Sequence, residues 1–260
     1  MIFAVVSMAQ SPQSSIYQQI KDKGEIVIGV GQGFPPLSFD RKGKFTGIEA
    51  EIAEQLAGFF QVKSRFVKVG VRDFIDALKS RKVDVVIAGV SRSIERGRHV
   101  WFSQPYLQIT PAVLIDKRVL PQTQFGEVFE TRQIQTIWDL KTLPEFTFVT
   151  KKGTTHERLL KKYFPEKSLI LTDTDAQARQ KLFDRKANGF VQDSIWLKYQ
   201  FRTNKALKNN YALLSGGSRT EALCIAMPFG AYVLKNQVDL FIAEAKRQGT
   251  IAGLVRKYAK

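Results

Sequence analysis

The strongest constraint on this chain is a strand–helix–strand–helix–strand pattern that occurs twice. In the first copy, Glu25-Ile26-Val27-Ile28-Gly29-Val30 is a β-branched run stopped by Gly31, Gly33, Pro35 and Pro36, which predicts a strand entering a loop. Gly43 marks a turn, after which Ile48, Ile52, Ala53, Leu56 and Phe59 recur at helical spacing. A strand over 62–69, a helix with Phe74, Ile75, Ala77 and Leu78 on one face, and a strand over 83–88 ending at Gly89 follow. The second copy runs from Phe146-Thr147-Phe148-Val149 through Gly153-Thr154-Thr155 to a helix bearing Leu159, Leu160 and Tyr163. Leu169-Ile170-Leu171, a helix over 176–183 and Gly189-Phe190-Val191 complete it. Such alternation predicts α/β architecture, with strands buried on both faces and helices covering them.

Two units of this kind imply two lobes. Ala112-Val113-Leu114-Ile115 leads out of the first, and Leu223-Cys224-Ile225-Ala226-Met227 leads back before a C-terminal pair of helices. The expected division is 25–111 with 222–260 as a discontinuous first lobe and 112–221 as the second. Residues 1–24 are read as a leader. Its first nine residues are apolar, and Ser7 and Ala9 fit the −3 and −1 positions of a small-residue cleavage site, as in the tail of a secretory signal. That stretch is far short of the roughly 20 residues a membrane span needs. A lone thiol, Cys224, cannot form an internal bridge, and its apolar neighbours mark it as a packing residue. With only His99 and His156 in the chain and no pair at metal-ligand spacing, neither a metal nor a cofactor is implied.

Ligands of open α/β sheets bind beyond the carboxyl ends of the strands. Gly31–Phe34, Gly89–Ser91, Gly153–Thr155 and Asp193 all follow predicted strands, so one cleft can gather them. Around the third strand of the first copy, Gly89 is followed by Ser91 and then Arg96. A free carboxylate wants a two-pronged cation with N–H and hydroxyl donors, and an ammonium wants carbonyl, hydroxyl and carboxylate oxygens. Arg96 with Ser91 fits the first need; Gly89, Ser91 and Asp193 fit the second. On spacing alone, turn or cap roles for Ser91 and Ser93 and a surface position for Arg96 fit equally well.

The order of motifs resembles the bacterial periplasmic solute-binding proteins of polar amino-acid ABC importers, which have the type II periplasmic-binding fold. The resemblance runs from about Glu25 to Tyr258. It rests on Gly33-Phe34-Pro35-Pro36, Phe45-Thr46-Gly47-Ile48-Glu49, Asp73-Phe74-Ile75-Asp76, Val83-Asp84-Val85-Val86, Ile94-Glu95-Arg96, Phe102-Ser103-Gln104-Pro105-Tyr106, Lys152-Gly153-Thr154-Thr155, Asp193-Ser194 and Gly249-Thr250. It implies two lobes, each a mixed sheet flanked by helices, with the ligand cleft between them. It also implies a monomer in the periplasm that closes on a free amino acid and delivers it to a membrane permease. Carried over by position, Phe34 packs on the ligand, Gly89 and Ser91 hold its amino group, and Arg96 pairs with its carboxylate. Thr154 and Thr155 add donors to that carboxylate from a helix N-terminus, and Asp193 closes on the ammonium, with the N-cap of the following helix as its rival role.

The chain departs from the family at two points. Val71 stands where many members place an aromatic, and Gly31 where several present a charged side chain. Arg72, Lys151 and Gln192 join Gly31 and Val71 as candidates for reading the ligand's side chain; Arg92 lies nearby. Their basic bias leans the expectation toward acidic or neutral polar amino acids. The polar segment 118–137 reads as an exposed excursion.

Two rival classes deserve weight. The fold has relatives with dehydratase activity, and His156 beside Glu157 suggests an acid/base pair, but neighbours near a helix start diverge, so a solvated His156 is expected and no catalytic constellation emerges. Ligand sensing by the same cleft is a further alternative. The formal charge of +16 raises nucleic acid, yet no basic helix, finger or aromatic-basic ribbon accompanies it, so the excess is read as solvated surface and no nucleic-acid partner is expected.

Overall fold

The computed structural model describes residues 14–31, 33–70, 72–120, 134–217 and 220–259. The expected signal remnant (1–9), the specificity candidate Val71 and most of the 118–137 excursion lie outside them. The remainder of the span assigned to the leader is folded: Ser15 caps helix α1 (Ile16–Lys23), and Ile20 is fully buried in the core of the first lobe. The far end of the excursion is anchored too, since Thr136 opens a 3-10 turn, Ile137–Thr142, whose Ile137 and Leu140 are buried.

After α1 come β1 (Glu25–Val30), the hairpin β2 (Phe39–Arg41) and β3 (Lys44–Thr46), α2 (Ile48–Phe59), β4 (Lys63–Lys68), α3 (Phe74–Lys79), β5 (Val85–Ile87), α4 (Ile94–Gly97) and β6 (Val100–Phe102). The chain then crosses through β7 (Leu107–Ile109) into β8 (Pro111–Asp116). The second copy of the pattern is β9 (Thr147–Lys151), α5 (Thr155–Tyr163), β10 (Ser168–Thr172), α6 (Asp175–Phe183) and β11 (Gly189–Asp193). Helices α7 (Ser194–Thr203) and α8 (Lys205–Asn210) lead to β12 (Tyr211–Ser215), and β13 (Glu221–Leu223) carries the chain back to β14 (Ala226–Pro228), α9 (Tyr232–Arg247) and α10 (Thr250–Ala259).

Two five-stranded sheets result, ordered β4-β1-β5-β14-β6 and β10-β9-β11-β8-β12. In the first, β1 runs parallel to β4 and β5 while β14 is antiparallel; in the second, β9 is parallel to β10 and β11 while β8 is antiparallel. Both sheets are therefore mixed. Strands β5, β8 and β11 are buried along their whole length, because helices cover both faces of each sheet, as near-continuous apolar runs require. Ile28, Ile52, Leu56 and Val238 fill one face of the first sheet, and Phe148, Leu160 and Val191 one face of the second. Full burial of each such side chain contributes roughly 1.5–3 kcal/mol.

The two crossings lie side by side: β7 and β13 pair antiparallel, Glu221 opposite Ile109 and Leu223 opposite Leu107. Next to this ribbon, Ser91 bridges Leu223, and the Arg92 N–H donates to the Ala222 carbonyl at 3.0 Å. The loop after β5 is thus stitched to the strand that joins the two sheets. No helix among the described residues is long and apolar enough to cross a membrane.

Candidate functional site

A cavity of about 230 Å³ lies between the sheets, lined by the carboxyl ends of β1, β4, β5, β9 and β11 together with α4, α5 and α6. Ten of the residues singled out from sequence line it: Gly31, Phe34, Gly89, Ser91, Arg96, Lys151, Thr154, Thr155, Gln192 and Asp193. Arg72 does not; its guanidinium reaches across to donate to the Lys152 carbonyl at 3.4 Å.

Arg96 is held by its own helix. Ser93 caps α4 by accepting from the Arg96 N–H at 3.2 Å, and the Arg96 guanidinium donates to the Ser91 carbonyl at 2.9 Å while standing 5.5 Å from the Phe74 ring centre. The cap role open to Ser93 is therefore real, while Ser91 and Arg96 both line the cavity. Burial, then the nearby Arg158, lower the pKa of Arg96, but a guanidinium stays charged at any physiological pH. On the opposite lobe, Thr154 caps α5 by accepting from the Glu157 N–H at 3.4 Å, and the helix's N-terminal residues Thr154, Thr155 and His156 line the cavity at its positive end.

The loop after β5 needs its glycine. Gly89 sits at φ +62°, a left-handed conformation that residues with a Cβ adopt at a cost, and its N–H donates to the Glu49 carboxylate at 2.7 Å. Glu49 is 1% exposed and also accepts from the Tyr106 hydroxyl. Burial raises its pKa to about 7 against the lowering effect of those two hydrogen bonds. It is a buried prop behind the loop.

Three residues that the sequence did not single out for this site complete the electrostatics. The Glu221 carboxylate accepts from the Ser91 hydroxyl at 2.6 Å and the Thr155 hydroxyl at 2.7 Å, tying the lobes together at the crossing ribbon. Asp175, at the start of α6, accepts from Gln192 Nε2 at 2.6 Å and lies 3.9 Å from Lys151 Nζ. His156 is 3% exposed and lines the cavity, with Nε2 3.1 Å from Asp193 Oδ1.

The expectation of a solvated His156 is thus wrong. As the second residue of α5 it points inward onto the sheet, while Glu157 turns outward to Lys161 and to the Gly153 N–H. The His156–Asp193 separation is that of an ion pair, and the other ring nitrogen, Nδ1, has no hydrogen-bond partner among the described residues. Asp193 occupies the N-cap position of α7 without capping it through its side chain, so its rival role falls away. Burial raises the Asp193 pKa, and His156 opposes that rise.

Phe34 stacks on Trp196 across the lobes, ring centres 6.0 Å apart and 24° between planes. Arg158 Nη1 lies 3.7 Å from Glu95 Oε2, another contact between the lobes. No group of three His, Cys, Asp or Glu among the described residues is placed to hold a metal. Cys224 is buried, its thiol pushed up to about 11 by burial, which fits a packing role.

Two lobes joined by a paired ribbon, with a cleft at the carboxyl ends of their strands, define the type II periplasmic binding proteins. The chain belongs to the bacterial extracellular solute-binding proteins, family 3, whose description matches residues 26–260. It is 26% identical to the L-cystine-binding protein of Escherichia coli strain K12 over 259 residues, 99% of this chain and 91% of that one. Among solved structures, it resembles a putative ABC-transporter binding component from Wolinella succinogenes complexed with lysine, with TM-score 0.79 and 27% identity, covering 91% of this chain and 96% of that one. An ancestral amino-acid-binding protein described as a precursor of cyclohexadienyl dehydratase matches with TM-score 0.78 and 26% identity, covering 95% and 100%.

Proposed function

We propose that the protein binds a free polar amino acid outside the cytoplasm by closing its lobes and delivers it to an ABC-transporter permease. The observation that carries this reading is the convergence of opposite charges from both sheets on one small cavity: Arg96 with the α5 N-terminus, and Asp193 with the Gly89–Ser91 loop. Arg96, Ser91, Thr154 and Thr155 take the α-carboxylate, Gly89, Ser91 and Asp193 take the ammonium, and Phe34 packs on the carbon chain. Lys68, Lys151, Asp175 and Gln192 also line the cavity, and two ammoniums against one carboxylate keep the lean toward acidic or neutral polar side chains. The lobes that move are 25–111 with 222–260, carrying α1 with them, and 112–221, about the β7–β13 ribbon.

A thermal-shift screen of the common amino acids tests the reading, because a ligand that binds the folded state raises its stability by about 2.7 kcal/mol at a hundredfold excess over Kd. Arg96→Ala should remove most binding by calorimetry while the variant stays folded; unchanged affinity contradicts the site. Turnover of prephenate or arogenate that depends on Asp193 would overturn the choice of binding over dehydratase chemistry.

A further inference from the structure

We infer that His156 is a positioning residue that couples capture to proton release: its imidazolium is the resident counter-cation of Asp193, and the ligand's ammonium replaces it. This rests on the reading that Asp193 takes that ammonium. His156 Nε2 lies 3.1 Å from Asp193 Oδ1, the ring is almost fully buried and lines the cavity, and Nδ1 lacks a hydrogen bond among the described residues. A structural histidine at such depth normally donates to a fixed acceptor. This one faces Asp193 on one side and has no fixed acceptor on the other.

The surrounding groups favour a cation here. Asp193 on β11, Glu221 on β13 and Asp175 on α6 act on the ring with negative charge, while Glu49 on α2, raised to about 7 by burial, stands behind Asp193 largely neutral and adds little. Against them, Lys151 on β9 lies beside Asp175, and Arg96 on α4 is under the influence of Glu221. Glu157, next in sequence, is committed to Lys161 and the Gly153 N–H. Burial alone pushes the imidazole pKa down, but the carboxylates, Asp193 first, reverse this and leave it raised.

An ammonium arriving at Asp193 places a second cation against the imidazolium in a buried site. The ring then gives its proton to solvent, and the charge of the His156–Asp193 pair with its occupant is unchanged. Binding therefore lowers the imidazole pKa, so one proton leaves per ligand and affinity rises with pH across the histidine range, by up to about tenfold per pH unit.

Isothermal calorimetry with L-glutamine, L-glutamate, L-lysine and L-cystine, between pH 5.5 and 7.5 in two buffers of different ionisation heat, tests this on the full chain. The expected result is a proton release approaching one per ligand, with Kd weakening as pH falls, and a flat profile with no release in His156→Gln. A flat wild-type profile without release overturns the inference while leaving the amino-acid reading intact, as does a wild-type slope retained in His156→Gln. No binding heat from any of the four overturns both. If His156→Gln does not fold, the wild-type proton count decides alone: near one supports, zero overturns.

Discussion

Glu49 shows how a single side chain can set the shape of the cleft while standing outside it. Its carboxylate fixes the Gly89 N–H at 2.7 Å and so holds the loop that presents Ser91. Burial raises its pKa from 4.5 to about 7. A carboxyl raised on folding binds its proton more tightly in the folded state, so its stabilisation is complete below about pH 4.5 and is lost as pH rises through about 7. Between pH 6 and 8 the wild type should lose about 1 kcal/mol through this group. Glu49→Gln retains an acceptor for both donors but cannot ionise, so its urea-unfolding stability should fall less over that interval. An identical pH dependence in the two proteins would mean that Glu49 titrates as an ordinary carboxyl.

At the level of elements, the crossing ribbon carries the most consequence for its size. β13 is only three residues long, yet its Glu221 accepts from Ser91 in one lobe and Thr155 in the other. Hydrogen bonds to an ionised acceptor contribute about 1.5–3 kcal/mol each, enough to shift an open–closed equilibrium more than tenfold. Glu221→Ala should therefore enlarge the radius of gyration of the free protein in small-angle scattering, and saturating amino acid should restore the compact value. An unchanged radius in the free variant would show that the latch does not set the equilibrium. The same element shows where sequence reading stops. The apolar runs of β1, β5 and β8 are legible because strands buried between helices must be largely apolar, and the placing of Gly89, Ser91, Arg96 and Thr155 at one cleft is legible because they follow β5 and β9 at their carboxyl ends, whereas their roles come from the family's order of motifs and not from spacing. Glu221 follows no such run; only pairing with β7 brings it between two hydroxyls. His156 was misread because a helix start does not reveal which of two adjacent residues faces the sheet. Helix α1 was missed because its buried face has a single fully buried residue, Ile20.

For the whole molecule, the +16 charge and the closed cleft are separate matters. Arg96, Lys68 and Lys151 are the lysines and arginines among the described residues that line the cavity, so most of the excess lies outside it, on surface where it acts on solubility and encounter rather than on the ligand. The proposed closure would rest instead on contacts between lobes: the Glu221 latch, the Arg158–Glu95 pair and the Phe34–Trp196 stack. The last gives closure an optical signal. Trp196 is 5% exposed, enclosed by Phe34 from one lobe and Phe190 from its own. Opening the cleft withdraws Phe34 and hydrates one face of the indole, whereas a ligand that favours the closed state holds it dry. With Trp101 and Trp138 replaced by Phe, emission from Trp196 should move to shorter wavelength as amino acid is added, saturating with the calorimetric Kd. Phe34→Ala should abolish most of that shift, because the ring that covers the indole on closure is gone. An emission maximum that ignores bound ligand would mean that capture proceeds without movement of the lobes, and the hinge would have to be abandoned.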